Sequence, residues 1–211
     1  MSRQHLGLRT PRGVDLAQIP TVDHSNQPLF RAVHIGYGHP WWFSNRAAAG
    51  PSAGRFDLDG DRGTCYLAST AVAAILEHVA DPESADPPLI STATLQRMHI
   101  WHGSVPQADA LADVTVASVP QLTGEIATVC DYALPWEWAE AFAGIGLSGI
   151  LYRSRFAQDD CVALFGEAGV PRDPPASMSG TPATDFEQDL PVGWTVSPTP
   201  TEAQTPLPPS L

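Results

Sequence analysis

Lysine is missing from this sequence altogether; its eleven basic residues are all arginine. Schiff-base chemistry through a lysine amine is thereby excluded, and so is the phosphate-binding loop that needs a lysine. Any anion site must be built from arginine, backbone amides and hydroxyls. Cysteine is nearly as scarce. Cys65, Cys130 and Cys161 are widely spaced and odd in number, so they make neither a zinc pattern nor a disulfide framework and read as reduced, buried thiols. No apolar run approaches the ~20 residues of a membrane span. The opening stretch "MSRQHLGLRTPRGVDLAQIP" lacks the apolar centre of a signal peptide, and the expected location is the cytoplasm. Positive charge is in short supply as well: 23 acidic residues against 11 basic give a net charge of −12. Direct nucleic-acid binding through a broad basic surface is therefore not expected.

What is present suffices for one domain with a real core, at 211 residues and 43% hydrophobic content. From Pro171 to Leu211 the chain holds ten of its 21 prolines and a single basic residue, Arg172. Such a composition buries too little apolar surface to offset the entropy of ordering, so residues 171–211 are expected to form a largely disordered tail. Within it, "FEQDLPVGWTV" has the makings of one short docked strand. Residues 1–27 read as an irregular N-terminal arm, which leaves 28–170 as the domain proper.

Inside that domain, "LFRAVHIG" (29–36), "MHIWHGSV", "LADVTVASV", "GILYRSRF" and "CVALFG" read as strands. "GRFDL" and "GTCYLA" read as strand-like pieces on either side of an Asp/Gly turn. Ser69 is placed to cap a helix over "TAVAAILEHVAD", whose apolar stripe is Val72, Ile75, Leu76 and Val79. "LPWEWAEAFAGIG" reads as a second helix, with Gly144 and Gly146 as its stop signals. Helices and strands are mixed without regular alternation and no repeat is visible, which favours a single α+β domain over a doubly wound sheet.

Several motifs are negative on inspection. "DLDGDRG" sets Asp57, Asp59 and Asp61 at positions 1, 3 and 5 of a calcium loop, but Arg62 stands where glycine is required and Ala68 where glutamate is required. A turn is the simpler reading, with calcium affinity no better than millimolar. His34 with His39, and His99 with His102, lack the spacing of a helical zinc site, so no metal is expected. Gly36 and Gly38 open no dinucleotide fingerprint. The adjacent Trp41 and Trp42 are open to three readings: cleft lining, partner contact or core packing.

Five positions bear chemistry: Arg31, Arg55, Tyr66, Glu77, and Ser154 between Arg153 and Arg155. Taken singly, Glu77 reads as part of a solvated helix face, each arginine as a surface or ion-pair residue, and Tyr66 as core. Their order changes the reading. "FRAVH", "GRFD", "GTCYLASTAVAAILEH", "GILYRSR" and "CVALFG" together resemble the RES domain, over about residues 28 to 168. That resemblance implies an ADP-ribosyltransferase-like fold and a toxin of a bacterial toxin–antitoxin pair. It implies cleavage of the nicotinamide–ribose bond of NAD, with phosphate or water as acceptor. NAD would be substrate rather than cofactor, inorganic phosphate a co-substrate, and a cognate antitoxin the protein partner. By the same resemblance Glu77, Arg31 and Ser154 are catalytic, while Arg55, Tyr66 and Arg153 bind substrate. Two positions depart from the family pattern: Phe30, where an aromatic with a polar tip is usual, and Asp160, where asparagine is usual.

The residue chemistry is compatible with that assignment. Most glycosidases use two carboxylates, one of them to protonate the leaving group. Nicotinamide leaves from a cationic pyridinium and needs no proton, so one carboxylate suffices to stabilise the developing oxocarbenium ion. Glu77 fits that role. The planar arginine fork suits pyrophosphate or phosphate oxygens, which makes Arg31 and Arg55 the natural clamp, with the Ser154 hydroxyl as a further donor. Tyr66 is placed to stack on the nicotinamide or ribose. Two rivals remain: an ADP-ribosyltransferase that modifies a macromolecule, and a RES-like binding module without catalysis.

Overall fold

The computed structural model describes residues 7–80, 89–116, 119–191 and 194–197. Ten strands run through them: β1 (Thr21–Val22), β2 (Pro28–His34), β3 (Arg62–Ala68), β4 (Leu89–Ser91), β5 (Met98–Ser104), β6 (Leu111–Asp113), β7 (Gly149–Arg153), β8 (Asp160–Glu167), β9 (Ser179–Pro182) and β10 (Thr195–Ser197). Four α-helices accompany them: α1 (Arg46–Ala49), α2 (Ala71–Val79), α3 (Thr92–Gln96) and α4 (Ala133–Gly144). Eight strands make one mixed sheet in the order β1-β6-β7-β8-β3-β2-β5-β9, and β10 pairs with β4 separately.

Both faces of the main sheet are covered, which is why its middle strands read as near-continuous apolar runs. Cys161 and Ala163 of β8 face one core with Ile150, Tyr152, Ile75 and Leu76. Val162 and Leu164 face a second core with Leu29, Trp41, Phe43 and Leu67. The pairing is uneven. β3 runs beside β8 from Arg62↔Glu167 to Ala68↔Cys161, and β2 beside β5 from Pro28↔Ser104 to His34↔Met98. Between β2 and β3 the one register pair is Phe30↔Ala68. The sheet opens there, and α2 stands beside the opening.

Helix α2 starts one residue later than the cap expected at Ser69. The backbone N–H of Ser69 still donates to Asp160 O at 2.8 Å, and the Thr70 hydroxyl takes the cap by accepting from Ala73 N. Ala71, Ala73, Ala74, Ile75 and Leu76 are buried, whereas Val72 and Val79 are only half-buried. Three alanines on the buried face let the helix lie close to the sheet, so it is rotated from the all-valine/leucine stripe and its Glu77 side turns to the opening. Helix α4 buries Trp138, Ala139 and Phe142 and ends before Gly146, whose φ of +86° is open to glycine at little cost.

Two expected strands shrink. "GRFDL" is a turn with one bridge at Leu58, because Gly54 N donates to the Asp57 side chain at 2.8 Å and that local bond displaces the ladder. "LADVTVASV" keeps its first three residues as β6; the Asp113 carboxylate then accepts from Thr115 N at 2.9 Å and turns the chain away.

The tail boundary at 171 also needs correction. β9 extends the sheet at β5, from His99↔Pro182 to His102↔Ser179, a 3₁₀ helix follows at Ala183–Asp189, and β10 runs parallel to β4. Ala183 is fully buried, and Phe186, Leu190, Trp194 and Val196 pack on the main core. Five apolar side chains spread among prolines anchor this stretch, a spacing that overall composition conceals. Residues 198–211, the rest of the expected tail, lie outside the described residues. The described part of the arm, residues 7–27, carries a 3₁₀ turn at Leu16–Gln18 and β1, and is anchored through buried Leu8 and Ile19, the short β1–β6 ladder, and Trp138 Nε1 donating to Arg9 O at 2.7 Å. No helix among the described residues is long and apolar enough to cross a membrane.

Candidate active site

A cleft of about 320 Å³ fills the opening between β2 and β3. Its walls include Arg31 from β2, Arg55 from the turn before β3, Tyr66 from β3, Glu77 from α2 and Tyr132 from the segment before α4. Glu77 is the sole carboxylate among the described residues that line it.

Glu77 is held from β7. That strand ends at Arg153, where the chain folds into a tight turn: Ser154 N donates to Asp159 O at 2.8 Å and Gln158 N to Ser154 O at 3.2 Å, with Gln158 at a φ of +58°. The turn aims Phe156 N (3.1 Å) and Ala157 N (3.0 Å) at the Ser154 hydroxyl oxygen. With both acceptor sites taken, the hydroxyl proton goes to Glu77 Oε1 at 2.6 Å. Ser154 is 1% exposed. It therefore positions Glu77, and its hydroxyl is not the spare phosphate donor expected from the sequence. Burial lifts the Glu77 pKa above its ordinary value; the Ser154 bond and the charges of Arg55 and Arg155 oppose that lift without cancelling it.

Arg55 projects its guanidinium over the Tyr132 ring, 4.9 Å from the centroid, and donates from Nη1 to Val129 O at 2.7 Å. Tyr66 lines the cleft with its ring, but its hydroxyl faces inward. It accepts from Phe56 N and donates to Asp57 Oδ1, both at 2.8 Å. Burial, with the Asp57 charge adding to it, raises its pKa well above 10, so Tyr66 is neutral. Arg31 alternates with Phe30 and Ala32 and so springs from the Leu29 side of β2. Its guanidinium donates to Trp42 O at 3.1 Å and to Cys65 Sγ, and the residue forms part of the cleft wall.

Of the six site residues named from the sequence, Arg31, Arg55, Tyr66 and Glu77 line the cleft and Ser154 stands behind Glu77. Arg153 does not join them. It follows Leu151 onto the opposite face of the sheet, donates to Gln158 O at 2.9 Å and pairs with Asp160 at 3.3 Å. Asp160, the acidic departure from the family pattern, is thus turned toward Arg153. Phe30, the other departure, lines the cleft and stacks on His102 with centroids 5.8 Å apart.

Three contributors escaped sequence reading. Arg155 bears on Glu77 electrostatically and donates to Thr128 O at 3.3 Å. Strand alternation would put 153 and 155 on one face, but the strand stops at 153 and Arg155 belongs to the turn that follows. Tyr152 lines the cleft, and its alternation with buried Ile150 was a readable signal. Tyr132 lies in an irregular segment and carried no signal. Among the described residues no group of three or more histidine, cysteine or acidic side chains is placed to hold a metal. The three aspartates diverge: Asp57 is buried, Asp59 pairs with Arg46 at 3.3 Å, and Asp61 is exposed.

Comparison with known proteins bears on this arrangement. No curated protein matches the chain. The fold is similar to that of a chain in the crystal structure of the M. tuberculosis MbcT–MbcA toxin–antitoxin complex, with a TM-score of 0.50 and 15% identity over 80% of this chain and 90% of that one. At that identity the likeness concerns the fold, and it accords with the ADP-ribosyltransferase-like architecture expected above. The RES domain family model matches residues 28–192, from the first strand at the cleft to the segment that follows β9. The chain belongs to the RES domain family.

Proposed function

We propose that this protein is an NAD-degrading toxin that cleaves the nicotinamide–ribose bond, with phosphate or water as acceptor, and that a cognate antitoxin neutralises it. The observation that carries the reading is Glu77, the single carboxylate among the described residues of the cleft. Among the described lining residues no second acid stands beside Glu77, as the two-carboxylate route of ordinary glycosidases would require. A substrate whose leaving group already bears positive charge needs only one carboxylate. As the ribose C1′–N bond breaks, nicotinamide leaves neutral with the bonding electrons, and positive charge builds on the ribose. Glu77 stabilises that charge and orients a ribose hydroxyl. The acceptor oxygen then forms the new C1′–O bond; water gives ADP-ribose and a proton, phosphate gives the phosphate ester.

The surroundings support this division of labour. Arg55 and Arg31 are the charge-bearing donors for the anionic part of the ligand, and the rings of Tyr66, Tyr132 and Tyr152 offer stacking surfaces. Burial of Glu77 in a partly dry cleft strengthens its interaction with a developing cation. The partner is carried over from the fold neighbour, which was crystallised as a toxin–antitoxin complex.

The test is incubation of purified protein with NAD, with and without phosphate, and mass spectrometry of the products. Free nicotinamide with ADP-ribose or its phosphate ester is expected. An intact NAD pool, or ADP-ribose found only on a macromolecule, would refute the reading.

A further inference from the structure

Asp57 is fully buried and no cation among the described residues forms an ion pair with it. A carboxylate in that position is stable only if hydrogen bonds replace its water. Three do: Ser44 Oγ donates to Oδ2 at 2.6 Å, Gly54 N to Oδ2 at 2.8 Å, and Tyr66 Oη to Oδ1 at 2.8 Å. Tyr66 Oη in turn accepts from Phe56 N. The backbone amides on both sides of Arg55 therefore end on Asp57, one directly and one through Tyr66. Trp136 Nε1 adds a third tie, to Gly54 O at 2.9 Å. The packing is close enough that a Cβ at residue 54 would overlap the Tyr66 hydroxyl and stand 2.8 Å from Asp57 Oδ1. Together with Asp57 N donating to Gly54 O at 3.2 Å and Thr64 Oγ1 to Phe56 O at 2.8 Å, these contacts fix where Arg55 leaves the backbone.

We infer that Asp57 is a positioning residue for the proposed reaction: its carboxylate sets Arg55 at the cleft and holds the Tyr66 hydroxyl away from it. All three of its partners are donors, so the role needs two accepting oxygens and not merely a polar side chain of this shape. Asparagine would present one oxygen to Ser44 and Gly54 and an amide to Tyr66. The tyrosine proton would then have to leave Asp57, and the pair of ties on Arg55 would loosen.

The inference rests on the NAD reading, and the experiment separates the two. Steady-state kinetics with NAD are measured for the wild type, Asp57→Asn, Arg55→Lys and the double variant. If the wild type does not turn over NAD, the functional reading fails. If it does, Asp57→Asn is expected to raise KM about tenfold with kcat changed less than about threefold, because the arginine acts on the anionic part of the ligand. In the Arg55→Lys background the same substitution is expected to change KM less than about twofold, since its route of action is already lost. An unchanged KM in Asp57→Asn, or an equal fold-change in both backgrounds, overturns the inference. Should Asp57→Asn not fold, Ser44→Ala removes one donor to the same carboxylate. It is expected to raise KM two- to threefold in the wild-type background and not in Arg55→Lys, and equal effects in both would overturn the inference too.

Discussion

Ser154 donates to Glu77 across 2.6 Å, and the direction of that hydrogen bond is fixed because two backbone amides already occupy the serine oxygen. A serine so committed acts on the reaction through the carboxylate. Ser154→Ala is therefore expected to lower kcat for NAD by ~10-fold while leaving KM within ~2-fold. It also takes the acceptor from two half-buried amides, so a stability loss of about 1 kcal/mol is expected by chemical denaturation. A KM effect larger than the kcat effect would place the hydroxyl on the ligand instead.

Glu77→Gln keeps the acceptor for Ser154 and removes the charge. Turnover should fall ~100-fold or more, about 2.7 kcal/mol of transition-state stabilisation, with little change in NAD affinity. Near-wild-type turnover in a folded preparation would end the case for Glu77 as the cation-stabilising group.

The same substitution has an opposite effect on stability. Burial raises the Glu77 pKa in the folded state above its ordinary 4.5. Between 4.5 and the raised value the native protein binds more protons at this group than the unfolded chain does. Its contribution to stability then falls as pH rises through that window and stays unfavourable above it. Glu77→Gln should thus melt at the same temperature as the wild type or higher at pH 7, and the difference should disappear below about pH 4. Differential scanning calorimetry at the two pH values decides this. The acid limb of the wild-type kcat/KM profile, which reports the free enzyme, should lie above 4.5 for the same reason, since the ionised form is the active one.

Arg153 and Arg55 give a contrast between two arginines that the sequence treats alike. Arg55→Lys retains charge but loses the fork, and weaker binding of NAD or phosphate is expected by calorimetry. Arg153→Ala removes an exposed ion pair with Asp160 on the other face of the sheet. NAD turnover within ~2-fold of wild type and a stability change within ~1 kcal/mol are expected.

A chain ending at Gly169 should not fold stably. It would lose β9 from the edge of β5, together with Ala183, Phe186, Leu190, Trp194 and Val196 from the core. Half-buried side chains of this size contribute on the order of 1 kcal/mol each, and their sum is a large part of the ~5–15 kcal/mol that holds a domain together. A chain ending at Ser197 keeps all of them and should melt cooperatively near the full-length temperature by circular dichroism.

Most of the cleft was legible where the signal was local and periodic. The run "CVALFG" could only be a buried strand, and the spacing of Ile75 and Leu76 oriented α2 well enough to set Glu77 off the core. Arg55 was found as a residue but misplaced in structure. Alternating Arg55, Phe56, Asp57 and Leu58 mimic a strand, and only the reach of Asp57 back to Gly54 makes the turn. Tyr132 and the true direction of Arg155 were illegible because both depend on contacts between segments far apart in sequence. Arg153 was grouped with the site through adjacency to Ser154, yet it is the last residue of β7 and shares the Leu151 face.

The stretch after β9 gives the molecule an order of completion. Helix α2, which carries Glu77, is made early in the chain; its partner Ser154 follows 77 residues later. The 3₁₀ helix at Ala183–Asp189, which packs against α2, comes later still. During vectorial synthesis the carboxylate is present long before the serine that aims it and the segment that braces its helix. The cleft can take its finished form only once the chain has emerged past Asp189, so a shorter nascent chain exists without a finished site.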